Sequence, residues 1–356
     1  MRLNVTQYPI LATQYNNKVN SMSTITLAHG SGGKLTHELI KKMILKGYGN
    51  PVLNRLTDSA IIELIKGRRF AFTTDSFVVK PVIFKGGDIG KLAVCGTVND
   101  LAVSGATPLY ISCSFIIEEG LSEKLLNRFI GSIKKEAATA GVKVVTGDTK
   151  VVEKGSCDKI FINTSGIGVV KYKRDLSVNR IKPGDKIVIN GTIADHGAAV
   201  MLARNDLGFK DGPESDCASL NRLILTVLRK CSNVKFMRDP TRGGVAAVMN
   251  EIAEGASFGI RLFEDEIPLD NGTASFCEIL GIDPLQMGNE GKVIVVIEAR
   301  EADKALRLMK KDPLGRKAAI IGEVTREYKG RVVLKTKVGG ERIVDMPVLE
   351  ALPRIC

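Results

Sequence analysis

The order of apolar and polar positions predicts a chain in which strands and helices are interleaved. Apolar residues recur on one helical face over 121–140, and Gly141 follows as a stop signal. A second helix over 89–104 follows Asp88, which can act as its N-cap. Strands are predicted at 59–65, 70–79, 109–117, 142–146, 160–170, 186–190 and 292–298, and further helices at 218–230, 245–255 and 301–311. Because tight turns join some neighbouring strands, this mixture favours an α+β fold over a parallel doubly wound sheet.

The chain length predicts two domains rather than one, since 356 residues exceed what a single domain usually contains. The boundary falls in the polar stretch 173–185, which ends in the turn-forming sequence Lys-Pro-Gly-Asp. We therefore expect an N-terminal extension over 1–24, an N-terminal domain over 25–174, a C-terminal domain over 175–335 and a tail over 336–356.

The composition argues against a membrane protein, a secreted disulfide-rich protein and a structural zinc protein. With 44% hydrophobic residues the chain can bury a sizeable core, while no apolar run approaches the ~20 residues of a membrane-spanning helix. The polar N-terminal stretch lacks the apolar segment of a secretory signal. Seven cysteines without a Cys-x-x-Cys pair argue against a disulfide framework and a structural zinc site. We expect a reduced, cytoplasmic protein without a membrane partner.

The net charge of +12 could indicate binding to a nucleic acid. However, Lys and Arg are dispersed along the chain, and aromatic residues make up only 5% of it, with no Trp to stack against bases. The basic residues therefore predict a solvated surface with a preference for acidic partners, and we expect no nucleic-acid partner.

Two aspartates flank the first predicted hairpin. If Lys66 and Gly67 form its turn, counting outward along both strands places Asp58 opposite Asp75. Facing carboxylates repel each other, unless a shared divalent cation, or the phosphates that it carries, makes the pair a binding site. The alternative is a register that differs by one residue, with both aspartates solvated at the strand ends.

Three further acidic motifs favour the binding site. Asn99 and Asp100 lie among apolar residues of a predicted helix, where an unpaired carboxylate is costly. Gly-Asp-Thr-Lys at 147–150 follows a predicted strand, and Asp-Pro-Thr-Arg-Gly-Gly at 239–244 precedes a helix whose N-terminal amides suit anions. Each motif alone could be a turn or a helix cap. Together their hard oxygen ligands suit Mg²⁺ that holds phosphates.

The motifs resemble those of a known superfamily. The sequence contains neither G-x-x-x-x-G-K-[ST] nor G-x-G-x-x-G after a strand, so any ATP must bind by another device. The segments 73–79, 86–90, 97–106 and 239–244 resemble the ATP-binding half of the aminoimidazole-ribonucleotide-synthetase superfamily, which includes selenophosphate synthetase and thiamine-monophosphate kinase. Within it, the segments 29–33, 147–150 and 353–356 are similar to the HypE family of hydrogenase-maturation carbamoyl dehydratases. The resemblance covers the chain from Ile25 to Cys356.

The resemblance implies two α+β domains, a homodimer whose N-terminal β-sheets pack together, and ATP with Mg²⁺ bound near that interface. The implied metal ligands are Asp58, Asp100 and Asp239. Residues implied to lie near the phosphates, the metal or the nucleotide are Asp75, Lys85, Asn99, Asp148 and Thr149. The Gly-rich segment with Gly32 and Gly33 would cover the nucleotide as a flexible flap, its amides facing phosphate.

The last residue, Cys356, carries the reaction that the resemblance implies. Pro353 disfavours helix and predicts an extended, mobile arm with a thiol at its end. A partner carbamoyltransferase would load a carbamoyl group onto the sulfur, ATP would phosphorylate the amide oxygen, and loss of phosphate would leave a thiocyanate. Iron–cyanide scaffold maturation proteins would then pass cyanide to the iron of a nickel–iron hydrogenase. Glu290 is the first candidate for the base, its alternative being a solvated turn residue. Lys150 is the second candidate, its alternative being a simple contact to phosphate.

Two other functions fit parts of the pattern. One is another ATP-using activity of the same superfamily, a kinase or synthetase acting on a small molecule, which would not need Cys356. The other is a non-catalytic scaffold, against which the retained Asp58, Asp100 and Asp239 argue. Outside the motifs, His196 is expected on the polar surface or beside the nucleotide. The other six cysteines are expected to be small core residues or incidental thiols.

Overall fold

The computed structural model describes residues 25–172, 174–204, 212–347 and 354–356. The predicted extension over 1–24 and the predicted extended backbone at Pro353 lie outside the described residues. The strands are β1 (Ala60–Ile65), β2 (Arg68–Phe77), β3 (Ile83–Phe84), β4 (Gly87–Asp88), β5 (Ala106–Glu118), β6 (Lys143–Val152), β7 (Ile160–Val170), β8 (Lys186–Ile189), β9 (Val234–Arg238), β10 (Gly259–Phe263), β11 (Ile294–Ile297), β12 (Ala319–Thr325), β13 (Val332–Lys335) and β14 (Glu341–Ile343). The helices are α1 (Lys34–Leu39), α2 (Leu45–Tyr48), α3 (Ile89–Val103), α4 (Glu123–Ala140), α5 (Asp195–Arg204), α6 (Asn221–Lys230), α7 (Gly244–Ala253), α8 (Asn271–Leu280) and α9 (Ala299–Lys310).

A five-stranded sheet with the order β1-β2-β7-β5-β6 forms the N-terminal half. Neighbouring strands are antiparallel except β5 and β6, which α4 connects as a parallel pair. Helix α3 packs against β2 and β7 and is buried almost all round. Helix α4 buries Phe129 and Ile133 on one face and ends at Gly141, whose φ of 74° lies in the left-handed region that favours glycine.

The first hairpin departs from its predicted register. The turn pairs as expected, but a β-bulge after Glu63 shifts the ladder by one residue, so that Ala60 pairs with Phe72. Asp58 lies before β1, outside the ladder, and is not opposite Asp75. The prediction that the two aspartates face each other across the hairpin was wrong, because the turn carries no information about an extra residue farther along the strand.

A seven-stranded sheet with the order β14-β13-β10-β12-β8-β11-β9 forms the C-terminal half. Its central strands β8 and β11 are almost fully buried, since helices cover both faces of the sheet. One apolar core continues into the N-terminal half, and the other lies under α6 and α9. Mixed, mostly antiparallel sheets packed with helices confirm the predicted α+β class.

The face of the N-terminal sheet opposite α3 carries exposed apolar side chains. Phe72, Ile167 and Tyr110 lie side by side on three neighbouring strands, and Phe72 and Tyr110 are each 46% exposed. A contiguous apolar surface of this kind is typical of an interface with another protein. Within the described ranges, no helix has both the length and the apolar character needed to cross a membrane.

Candidate active site

Four aspartates from separate elements converge beside α3. Asp58 precedes β1, Asp75 lies on β2, Asp100 lies on the last turns of α3, and Asp239 follows β9. Burial raises the pKa of each carboxyl, and the pKa of Asp100 rises well above its ordinary value because Asp75, Asp239 and Asp58 are also close to it. Burial and the nearby Asp58 raise the pKa of Asp239 to about 8. Since carboxyl groups perturb one another strongly only at short range, the four form one cluster.

Neighbouring side chains hold two members of this aspartate cluster. The Thr73 hydroxyl lies 2.8 Å from both Asp100 Oδ2 and the Asp58 carbonyl oxygen. Arg238 Nε donates to Asp58 Oδ1 over 2.9 Å, and the same guanidinium pairs with Glu251. Burial would lower the pKa of Arg238, but the two carboxylates raise it above its ordinary value, so the arginine stays charged.

The aspartate cluster has the donor chemistry of a site for a hard cation. Among the described residues, no three His, Cys, Asp or Glu side chains are already arranged around a common metal position. The four carboxylates are nevertheless mostly shielded from water and mutually repelling, which costs free energy unless positive charge compensates it. Carboxylate oxygens are the ligands that Mg²⁺ prefers. The residues therefore fit Mg²⁺ that carries phosphates.

The raised pKa of Asp239 predicts how stability depends on pH. The folded-state pKa of about 8 exceeds the ordinary value of 3.8, so the folded chain binds a proton that the unfolded chain loses, and the free energy of unfolding falls as pH rises between these values. Asp239→Asn removes this titration. Without ATP or metal ions, the variant should be more stable than the natural chain by about 1–2 kcal/mol near pH 9, with the difference shrinking towards about pH 5. Urea unfolding at both pH values measures this, and a less stable variant near pH 9 would contradict the raised pKa.

Glu290 lies beside the aspartate cluster and is only 3% exposed. Its Oε1 atom is buried without a hydrogen-bond partner among the described residues. Burial, then Asp239, Asp216 and Asp75, raises the pKa of this carboxyl well above its ordinary value. The alternative of a solvated turn residue is therefore wrong. A buried carboxyl with an unpaired oxygen and a raised pKa is a stronger base than an ordinary carboxylate, which suits it to proton transfer.

The C-terminal tail returns to the N-terminal half and ends beside the strand that carries Asp75. The Val78 amide donates to the Cys356 carbonyl oxygen over 3.0 Å. The preceding residue, Ile355, is 1% exposed, whereas Cys356 is partly exposed. The six other cysteines are buried, as predicted for small core residues.

The Gly-rich segment predicted to cover a nucleotide lies against the motif that begins at Asp239. Arg242 donates to the Gly30 carbonyl oxygen over 2.9 Å, and a Cβ added at Gly32 would lie 2.6 Å from the Arg242 Cβ. Gly32 has a φ of 80°, in the left-handed region that favours glycine. Gly33 is the N-cap residue of α1. These contacts join the flap segment to the Asp239 end of the site.

Two predicted nucleotide-side residues and the second candidate base lie on strand β6. Asp148, Thr149 and Lys150 were expected to follow a strand, but β6 continues to Val152 and includes them. All three are exposed, and Lys150 Nζ pairs with Asp148 Oδ2 over 2.7 Å. In the described part of the chain, none of the observed contacts joins them to the aspartate cluster, and their role stays a prediction.

Lys85 and Asn99, which were predicted to lie near phosphate or metal, make hydrogen bonds to backbone groups in this structure. Lys85 Nζ donates to the Gly212 carbonyl oxygen over 2.8 Å. Asn99 Oδ1 accepts from the Leu220 amide over 2.8 Å, and its Nδ2 lies 3.1 Å from the Ala218 carbonyl oxygen and 3.3 Å from that of Glu290. In this conformation the Asn99 side chain therefore connects the two halves of the protein behind Glu290. The proposed role of either residue near phosphate is untested.

Long-range partners were missed from the sequence. His196 is 0% exposed, so its expected place on the surface was wrong. Asp216 and Lys292 form a buried ion pair with a distance of 2.8 Å between Oδ2 and Nζ. Arg238 directly precedes a motif that was singled out, and this adjacency was the one available signal for it. The other two features depend on contacts between distant segments, which no local pattern reveals.

Comparison with known proteins agrees with this arrangement. The models "AIR synthase related protein, N-terminal domain" and "AIR synthase related protein, C-terminal domain" match residues 56–170 and 182–335. Carbamoyl dehydratase HypE of Rhodobacter capsulatus is 48% identical over 335 residues, or 93% of this chain and 98% of that protein. A solved HypE–HypF complex aligns at a TM-score of 0.82 with 48% identity, over 87% of this chain and 99% of the solved chain. Hydrogenase maturation protein HypE in complex with ATP aligns at 0.78 with 43% identity, over 94% of this chain and 100% of the solved chain. The chain belongs to the HypE carbamoyl dehydratase family.

Proposed function

We propose that this chain uses ATP to dehydrate an S-carbamoyl group on Cys356 to a thiocyanate, and so supplies cyanide for the iron of a nickel–iron hydrogenase. The docked tail is the observation that carries this proposal. The Val78 amide holds the Cys356 carbonyl oxygen at 3.0 Å, three residues beyond Asp75 on the same segment. The neighbouring Ile355 packs against Gly288, two residues before Glu290. The docked tail therefore contacts the segments that carry Asp75 and the candidate base Glu290.

The proposed reaction consumes one ATP for each thiocyanate. The carbamoyl oxygen attacks the γ-phosphorus and ADP leaves, which converts a very poor leaving group into a phosphate. The C–O bond then breaks, the two N–H protons are lost, and the nitrogen forms the triple bond while the carbon–sulfur bond is kept. The products are thiocyanate, ADP and inorganic phosphate, and the carbamoyl oxygen ends in the phosphate.

The aspartate cluster is the proposed site for the phosphates of ATP with Mg²⁺. Asp58, Asp100 and Asp239 would hold the cation, with Asp75 beside them, and the ATP complex of a HypE relative supports the nucleotide. When bound, Mg²⁺ supplies positive charge that offsets the negative charge on the transferred phosphoryl group. Arg238 favours the anionic form of Asp58, because the guanidinium opposes the rise of its pKa on burial. Further proposed contacts to the nucleotide or its phosphates come from Gly32, Gly33, Lys85, Asn99, Asp148 and Thr149.

Glu290 is the proposed base for the N–H protons. Its buried, unpartnered Oε1 and its raised pKa support proton uptake close to where Cys356 docks. Lys150 is the second candidate, although it is exposed and paired with Asp148 in this structure. A lysine base also requires a lowered pKa, which depends on burial or nearby positive charge.

The proposed partners are a carbamoyltransferase that loads Cys356, iron–cyanide scaffold maturation proteins that accept the product, and a second copy of this chain. The complex of a HypE relative with HypF supports the first of these. The apolar row of the exposed Phe72 and Tyr110 with the half-buried Ile167 between them supports a homodimer built through the N-terminal sheets. A tail thiol that must stay reduced suits the cytoplasm.

A labelled-oxygen experiment tests this function. The natural chain is loaded by its carbamoyltransferase from carbamoyl phosphate that carries heavy oxygen in the carbamoyl group, and ATP with Mg²⁺ is then added. The C-terminal peptide should gain one carbamoyl group and lose one water equivalent only with ATP, and the heavy oxygen should appear in inorganic phosphate. An unmodified tail peptide in a chain that phosphorylates a small molecule would instead indicate a kinase or synthetase of the same fold.

A further inference from the structure

The docked tail is anchored by a buried seat for Ile355, the residue before the reacting cysteine. Ile355 is 1% exposed and joins the apolar core shared by both halves of the protein. A Cβ added at Gly288 would collide with Ile355 Cδ1 and would lie 3.0 Å from the Thr241 carbonyl oxygen. The seat therefore depends on the absence of a side chain at position 288.

His196 contacts the backbone of the same residue. Its Nε2 lies 2.7 Å from the Ile355 carbonyl oxygen, and its Nδ1 lies 2.8 Å from the Ser215 hydroxyl. Because a carbonyl oxygen only accepts, Nε2 carries the proton and donates. The Ser215 oxygen already accepts from the Cys217 amide over 3.1 Å, so its own proton is available for Nδ1. Phe84 packs edge-on against the imidazole with ring centroids 5.3 Å apart, which fixes the ring further.

We propose that His196 is a positioning residue for the reaction: by donating to the Ile355 carbonyl oxygen, it fixes the peptide that precedes Cys356 and presents the thiol to the aspartate cluster. The inference rests on the proposed function, in which Cys356 carries the reacting group. It adds a residue that touches neither ATP nor the carbamoyl group and acts through the tail backbone. Ser215 supports it by selecting the tautomer that can donate.

The ion pair made by the tail lies nearer the solvent than the hydrogen bond from His196. Arg354 pairs with Asp158 over 2.9 Å, and the two side chains are 26% and 31% exposed. Ion pairs at this exposure contribute little and are screened by salt. The hydrogen bond from His196 is fully buried, where electrostatic interactions are stronger. It also acts on the peptide that precedes Cys356, so its loss loosens one side of the segment that orients the thiol while the Val78 amide still holds the other.

Alkylation of the intact chain measures tail docking without ATP or a partner. Because the other six cysteines are buried, brief treatment with iodoacetamide should label Cys356 first, and intact mass follows the rate. His196→Asn keeps an amide for Ser215 but is too short to reach Ile355. Loss of one buried hydrogen bond should raise the labelling rate roughly ten-fold. His196→Gln, whose amide can reach the carbonyl oxygen, should stay within about three-fold of the natural rate.

Two controls separate undocking from general loosening. Leu228→Ala truncates a fully buried side chain in the other apolar core, and it should lower the melting temperature without changing the labelling of Cys356. Gly288→Ala obstructs the seat of Ile355 and should label faster than the natural chain. If His196→Asn does not fold, Ser215→Ala takes its place, because it leaves the imidazole but removes the group that selects its tautomer. Folded His196→Asn or Ser215→Ala that labels at the natural rate would overturn the proposal.

Single-turnover dehydration then tests the link to the reaction. His196→Asn should be loaded by the carbamoyltransferase at least as fast as the natural chain, because loading needs the undocked tail. Its ATP-dependent loss of water should be about ten-fold slower with unchanged ATP affinity, and His196→Gln should recover most of the rate. Equal dehydration rates would refute a positioning role. If the natural chain is never carbamoylated, the proposed function fails, while the alkylation rates still report whether His196 holds the tail.

Discussion

Replacing Cys356 with alanine should abolish ATP-dependent dehydration, with a fall of at least about a thousand-fold in the rate of water loss from the C-terminal peptide. In the proposed reaction the sulfur of Cys356 carries the carbamoyl group, and the six other cysteines are buried and cannot take its place. The measurement is the intact mass of the tail peptide after loading and after addition of ATP. Removal of a covalent carrier differs in this respect from removal of a single contact, which slows a reaction without abolishing it.

The same variant should bind ATP normally. Cys356 contacts Val78 through its backbone carbonyl oxygen, so alanine preserves the docking of the tail and leaves Asp58, Asp100 and Asp239 unchanged. Titration calorimetry with ATP and Mg²⁺ should therefore give the natural affinity. If Cys356→Ala and the natural chain turned over ATP equally with a small-molecule acceptor, the fold would stand, and the proposed reaction would not.

Asp216→Asn should lower the free energy of unfolding by about 3–5 kcal/mol, because it leaves a buried lysine without its counter-charge. Asp216 and Lys292 are 4% and 8% exposed and lie 2.8 Å apart. Asp216 also accepts from the backbone amides of Glu290 and Gly291 over 3.1 and 3.2 Å. Urea unfolding at neutral pH measures the loss. Because these amides position the loop that carries Glu290, the variant should also dehydrate more slowly at temperatures where it is folded.

The lowered pKa of Asp216 predicts how the destabilisation by Asp216→Asn changes with pH. Burial alone would raise the pKa of Asp216, but the charge of Lys292 and the hydrogen bonds from Lys292 and the Glu290 amide bring it below its ordinary value of 3.8. The stabilisation is therefore present above the ordinary pKa and is lost as pH falls through the lower folded-state value. The exposed pair of Glu38 and Lys42 is the matched control: Glu38→Gln should cost no more than about 0.5 kcal/mol. Similar losses in both variants would show that the Asp216 pair is not specially stabilised by burial.

Much of the local structure could be predicted from the sequence. Strand 160–170 has the predicted bounds, and α4 ends at the predicted Gly141, because alternation, helical periodicity and stop residues act over a few neighbours. Strands β9, β10, β12 and β13 and helices α5 and α8 were not predicted, since short apolar segments without clear turn signals give weak patterns. Four of the five aspartates singled out from the sequence converge in the structure, whereas Asp148 lies apart on β6. A carboxylate among apolar residues, such as Asp100, already signals an unusual environment in the sequence.

The sequence by itself therefore determined the α+β class, the family to which the chain belongs, and the residues that could carry the chemistry. Only the tertiary structure decided their surroundings: the bulge that takes Asp58 out of register, the guanidinium of Arg238 against it, and the burial of Glu290. It also decided that the tail docks, with His196 on the carbonyl oxygen of a residue 159 positions away. Local patterns report neighbours in the chain. Burial, charge compensation and pKa values depend on segments that folding brings together from far apart in sequence, and those relations have no local signature.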